Sequence, residues 1–241
     1  MTHDLLALLI AGCVVFAGAV VQGGVGFGLG LLAAPVVTVL DPTVMPAAVQ
    51  VVNAVLPLLT LLAEWRAIDW RGLGFALLGR LPGGVLGGLV VVYVSGQVLG
   101  VLVGVMVLAA VAVTAAAVAV PRNRATLAAA GLLSGITGTA TGIGGPPVAI
   151  VYQHDKGPRI RATLAMYFFL AATQSLAILA AVGKLPLRAL AAGALLIPFL
   201  VAGYAVSGPL RRFLDGGRIR AGILLVATAS AFVLITRSLT G

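Results

Sequence analysis

The sequence predicts an all-α integral membrane protein of two repeats, each with a broken or hairpin first segment and about three further transmembrane helices. Two observations set the class. Of 241 residues, 61% are hydrophobic and 9% charged, with a mean hydropathy of +1.18, whereas a soluble domain carries roughly 25% charged residues. Apolar runs near 4–40, 45–63, 72–93, 97–120, 125–152, 160–182, 187–207 and 219–236 are mostly about 18 residues or longer, enough to span. A third observation sets the organisation, because a glycine–proline pattern occurs twice. Gly23, Gly26, Gly30, Pro35 and Pro46 recur as Gly135, Gly138, Gly142, Pro147 and Pro158 at one offset of 112 residues (135 − 23). Pro82 and Gly87 pair with Pro198 and Gly203 after a shift of four more (198 − 82). Two membrane repeats follow, 1–120 and 121–241, joined around Pro121-Arg122-Asn123-Arg124.

The first run, 4–40, carries internal glycines. Ala17-Gly18-Ala19 resembles a signal cleavage site, but no Lys or Arg precedes it and the apolar sequence continues to Leu40. The reading is therefore an uncleaved membrane segment, either one broken span or a hairpin of 4–22 and 25–40. In the 45–63 helix, Gln50 and Asn53 lie three apart and share a face, suited to lining a cavity or to pairing across helices. The 72–93 run contains Arg80 just before Pro82. An arginine inside a membrane segment is expensive and by default functional, although snorkelling or pairing with Asp69 or a carbonyl would also explain it. Gly83, Gly84, Gly87, Gly88 and Gly203 read as close helix packing. The 160–182 helix carries the polar cluster Thr173-Gln174-Ser175.

Charge placement bears on topology. If each first segment is one broken span, the basic residues of the loops divide evenly, with Arg66, Arg71, Arg122 and Arg124 opposite Arg159 and Arg161. If each is a hairpin, these join Lys156, Arg211, Arg212, Arg218 and Arg220 on one side, against Lys184, Arg188 and Arg237. The second division follows the positive-inside rule, and the odd number of passes makes the repeats inverted. It predicts an outside N-terminus and cytoplasmic loops at 64–71, 121–125, 153–161 and 208–220. The net charge of +9 thus orients the chain and meets anionic lipid rather than nucleic acid. Cys13 is alone, so no intrachain disulfide forms.

The two breaker regions are Gln22 to Gly30 and Gly135 to Pro147. Glycine lets a chain leave helical geometry, and a helix restarting there exposes N–H donors and a partial positive charge. Such a terminus binds anions without a cationic side chain, so two of them meeting near mid-membrane would hold a small oxyanion. The candidate substrate-binding residues are Gln22, Gly24, Gly26, Gly28, Asn53, Arg80, Thr139, Thr141, Gly142, Gly144 and Gly145, with Thr137 and Gln50 nearby. Neither segment is a P-loop or a dinucleotide motif. The acids Asp4, Asp41, Glu64, Asp69, Asp155 and Asp215 fall near segment ends, and His3 and His154 are isolated. No catalytic residues, metal ligands or cofactor site are expected, and an intramembrane enzyme has little support. His154-Asp155-Lys156 reads as a solvated loop edge.

At these residues the chain resembles the TauE/SafE family of sulfite-exporter-like permeases. The likeness rests on the glycine-rich segment entering Leu31-Leu32-Ala33-Ala34-Pro35, on Thr141-Gly142-Ile143-Gly144-Gly145-Pro146-Pro147, and on the two-half organisation. The resemblance implies a secondary transporter, an exporter by the family's name, of sulfite, organosulfonates or related anions in the bacterial inner membrane. The expected partners are a small anionic substrate and membrane lipid, with no nucleic acid and with a homo-oligomer left open. An anion channel and a non-transporting scaffold or accessory subunit are the alternatives.

Overall fold

The computed structural model describes residues 2–115, 120–153, 155, 157–214 and 217–240. His154, Lys156 and Asp215 lie outside them, as do the side chains of 209–224. Ten α-helices occur among the described residues, with no strand: α1 (Thr2–Val25), α2 (Leu29–Leu40), α3 (Ala47–Glu64), α4 (Trp70–Tyr93), α5 (Gly96–Ala115), α6 (Arg124–Thr141), α7 (Gly145–Tyr152), α8 (Gly157–Ala181), α9 (Leu187–Leu214) and α10 (Gly217–Thr240). Six of these, α1, α3, α4, α5, α8 and α9, contain stretches long and apolar enough to cross a membrane.

The first segment of each half is a hairpin. A Cβ on Gly18 would lie 3.0 Å from Leu29 Cα, whereas a continuous helix would hold the two residues about 16 Å apart. Likewise Ser134 Oγ donates to Gly144 O at 2.5 Å, across what would be about 15 Å of straight helix. The returning helices are short. With 12 and 8 residues, α2 and α7 measure about 18 and 12 Å, well under the ~30 Å hydrocarbon core.

Both turns are built alike. Gly26 and Gly142 have φ of 96° and 80°, and their N–H groups donate to Gln22 O at 2.8 Å and Gly138 O at 2.9 Å. Gly28 and Gly144 then stand at the N-cap positions of α2 and α7. These pairs are 116 residues apart (142 − 26), so the glycine matches at 112 are not the positions that coincide in local geometry. The difference arises because α7 is four residues shorter than α2. Beyond the short helices Pro46 and Pro158 both stand at the start of a long helix, and there the offset of 112 holds.

The two halves interlock. The most extensive packing joins α4 to α6 and α1 to α9, with α3 against α8 and α5 against α10. Small residues make the α4–α6 approach possible. A Cβ on Gly79 or Gly83 would collide with the Ala128 or Leu132 carbonyl, and one on Gly131 with the Ala76 carbonyl. The glycine face of α4 is buried, while Leu78, Leu81, Val85 and Leu89 are exposed. That is sensible in lipid, where close packing rather than burial of large side chains holds helices together.

Ion pairs gather at one end. Asp69 caps α4, accepting from the Gly72 N–H at 3.2 Å, and meets Arg122 and Arg159, each at 3.3 Å. Arg122 also reaches Asp155 at 2.6 Å, and Arg161 grips Glu64 through both Nε and Nη2. Loops 64–71, 121–125 and 153–161 therefore share one end, which the even division of charge would have separated. Arg188 with Asp41 at 2.8 Å, and Arg237 with Val39 O, join other parts of the chain.

Candidate functional site

The two turns meet around a cavity of about 40 Å³ with a mixed polar and apolar lining, room for about three water-sized groups. A Cβ on Gly30 would lie 2.7 Å from Gly142 O, so the start of α2 abuts the end of α6. Of the expected residues, Gln22, Gly28, Asn53, Arg80, Gly142, Gly144 and Gly145 line this cavity. Gly24, Gly26, Thr139 and Thr141 do not. Gly26 packs against Arg161. Thr141 Oγ1 donates to Thr137 O at 2.7 Å and accepts from the Ile143 N–H at 3.3 Å, fastening the turn. Thr139 is fully buried behind Arg80, with its hydroxyl 2.8 Å from Ser175 Oγ.

Arg80 is 2% exposed and ties three helices together. Nη1 donates to Ser134 O (2.7 Å) and Ser134 Oγ (3.1 Å), and Nη2 to Ala171 O (3.0 Å) and Ser175 Oγ (2.8 Å). Its Cζ lies 5.7 Å from the Tyr167 ring centroid. It does not pair with Asp69, which is engaged by Arg122 and Arg159. Among the described residues Arg80 has no acidic partner, and its Nε has no hydrogen bond. A cation is thus buried with only neutral acceptors around it.

Side chains from the long helices fix both turns. Gln22 Oε1 accepts from the Leu29 N–H at 3.1 Å, positioning α2. Gln50 Nε2 donates to Gly138 O at 2.5 Å and Asn53 Nδ2 to Gly142 O at 3.1 Å, capping carbonyls at the end of α6. In the first turn of α2, Leu31 and Leu32 donate to Gly28 O, so among the described residues the Gly30 N–H has no partner. In α7, Pro146 and Pro147 have no N–H, and among the described residues the Gly145 N–H has no hydrogen-bond partner.

Sequence reasoning did not select Ser134, Phe27 or Phe168, all of which line the cavity. Ser134 carried a weak signal, a small hydroxyl eight residues before the second turn. The phenylalanines carried none in an apolar chain. Of Thr173-Gln174-Ser175 only Ser175 joins the Arg80 network; Thr173 bonds its own helix at Phe169 O.

Half-length helices whose ends meet at a cavity beside a buried arginine, inside a bundle of long apolar helices, are the build of a multi-pass membrane permease. The family model described as "Sulfite exporter TauE/SafE" matches residues 10–234, and the chain belongs to that family. A relative from Cupriavidus necator, described as "Probable sulfite/organosulfonate exporter TauE", is 30% identical over 212 residues, covering 82% of this chain and 81% of the relative. No solved structure matches. The chain is a multi-pass protein of the bacterial inner membrane.

Proposed function

We propose that this chain is a secondary transporter that exports a small sulfur-containing anion, such as sulfite or an organosulfonate, held between the two helix breaks. The observation that carries the reading is Arg80, a buried cation lining the cavity without an acidic partner among the described residues. A buried charge without a counter-ion is costly, and an anionic ligand would relieve that cost. Among the described residues the Gly30 and Gly145 N–H groups, at the cavity wall, have no partner, and such donors suit an oxyanion head. Gln22, Gly28, Asn53, Gly142 and Gly144 complete the lining, while Gly24, Gly26, Thr139 and Thr141 hold the turns and the arginine. The printed name of the relative from Cupriavidus necator supports the substrate class.

In this reading 1–120 and 121–241 are inverted repeats, and alternating access moves one set of helices against the other around the cavity. The ion-paired end faces the cytoplasm and the N-terminus lies outside, which epitope-accessibility labelling tests directly. Transport is tested in proteoliposomes loaded with unlabelled sulfite and diluted into labelled sulfite. Saturable counterflow supports the transporter; anion flux without counterflow identifies a channel, and absence of both binding and flux identifies a scaffold.

A further inference from the structure

We infer that the Arg161 side chain is a gate beneath the first hairpin turn, held shut by Glu64, and that it closes the cavity off from the ion-paired end. The inference rests on the transport reading. Glu64 is the last residue of α3, and Arg161 stands near the start of α8, so the pair joins one half of the chain to the other. The guanidinium donates to both carboxylate oxygens, from Nε at 3.1 and 3.0 Å and from Nη2 at 2.6 Å. The two side chains are 18% and 15% exposed, where solvent and salt screen an ion pair less than at an open surface. The arginine stem is engaged as well. A Cβ on Gly26 would lie 3.6 Å from both Cα and Cγ of Arg161, so the stem lies against the turn while the head is held by Glu64.

Position distinguishes this contact from a surface brace. Gly26 is followed by Phe27 and Gly28, which line the cavity. On α8, Arg161 precedes Phe168 of the same lining by seven residues, two turns along one face and about 10 Å. Leu164 lies between them, 0% exposed, with Cδ1 3.6 Å from the same Cβ position on Gly26. Arg161 and Leu164 therefore stand between the cavity and the loops where Asp69, Arg122, Asp155 and Arg159 pair. Rotation of one long side chain uncovers the turn without moving a helix. The two-oxygen grip of Glu64 opposes that rotation, because a planar guanidinium fork and a carboxylate match in geometry as well as charge. The second turn is held by neutral groups of α3. A Cβ on Gly142 would meet Val49, and the Gly142 carbonyl is capped by Asn53. The gate thus belongs to one side of the cavity, as access that alternates between two sides requires.

The test is the rate at which N-ethylmaleimide alkylates a cysteine placed behind the gate, in the purified full chain with the exposed Cys13 replaced by serine. Leu164→Cys is the reporter, and Val15→Cys, also 0% exposed but on α1, is the control. With the pair intact both react slowly. Glu64→Gln and Arg161→Gln, two independent ways of releasing the grip, each accelerate the reporter by about tenfold and leave the control slow. The double variant reacts no faster than the faster single one, because one interaction has been removed twice. An unchanged reporter rate in either monodisperse variant, equal acceleration of reporter and control, or rates that multiply in the double variant overturns the gate. Alkylation needs no sulfur anion. Absence of counterflow by wild type therefore counts against the transport reading, while the reporter rates decide the gate.

Discussion

Replacing Arg80 by glutamine separates the two things the arginine does. Its guanidinium makes four hydrogen bonds that join α4 to Ser134 on α6 and to Ala171 and Ser175 on α8. Glutamine is shorter and has one NH₂ group, so at least two of those acceptors lose their donor. Each lost hydrogen bond from the charged donor costs about 1.5–3 kcal/mol, and the melting temperature falls accordingly. The anion loses more selectively. A hydrogen bond to a charged group contributes about 1.5–3 kcal/mol, which translates to roughly a 10- to 150-fold rise in Kd. Arg80→Lys keeps the charge without the planar fork, and its affinity falls between the two. The assay is equilibrium binding of labelled sulfite to purified protein by scintillation proximity, with size-exclusion profiles to establish folding. A monodisperse Arg80→Gln that binds sulfite within about twofold of wild type would refute a role for the buried cation in anion binding.

Gly83→Ala drives a Cβ into the Leu132 carbonyl, whereas Gly74→Ala on the same helix meets nothing within 4 Å. The first is expected to lose about 1–3 kcal/mol by overpacking and the second to be neutral or slightly stabilising, as read by thermal melts in one detergent. Gly142→Ala forces a left-handed φ of 80° on a residue with a Cβ and crowds Val49 Cγ1 at 3.0 Å, a loss of about 1–2 kcal/mol from the backbone alone. Gly183→Ala, with φ 71° and open space, isolates the backbone contribution in the same melts. Burial alone would raise the Asp69 carboxyl, but the Gly72 N–H, the charges of Arg159 and Arg122 and the Tyr152 hydroxyl outweigh it and hold the pKa below the ordinary value. A carboxyl depressed in the folded state stabilises above its unfolded pKa of about 3.9 and loses that contribution as pH falls through the folded value. Melting temperature should therefore drop below about pH 4, and Asp69→Asn should remove part of that acid dependence while lowering stability at neutral pH.

The features legible in the sequence were those that lipid imposes locally. Glycine-dense segments turn the chain, the glycines of α4 face another helix, and Arg80 stands out because a charge in an apolar run is costly wherever it lies. What it touches was not legible. Ser134 and Ala171 come from the other half, and only the interlocking of α4 with α6 and α8 brings them within reach. The register of the glycine–proline pattern was misleading for a related reason. Glycines recur at 112, yet the turns coincide at 116, because a four-residue difference between α2 and α7 follows the turn. Thr139 and Thr141 lie in the right segment, but helix periodicity points one behind Arg80 and folds the other onto its own turn.

The unequal short helices also mean that the two halves of the cavity are not chemically equivalent. Gln22 takes the Leu29 N–H and Gly28 O takes those of Leu31 and Leu32, so α2 reaches the cavity with Gly30. Two prolines do the same for α7 by having no N–H at all, leaving Gly145. One half withholds donors by hydrogen bonding and the other by covalent structure, and among the described residues the Gly30 and Gly145 N–H groups are without a partner. The side chain that breaks the symmetry is Arg80. It comes from α4 of the first half and is held by Ser134, whose hydroxyl also donates to the carbonyl of Gly144 at the start of α7. Ser134 therefore bridges the start of α7 and the guanidinium, so the proposed alternating access would move the helix break and the buried charge together.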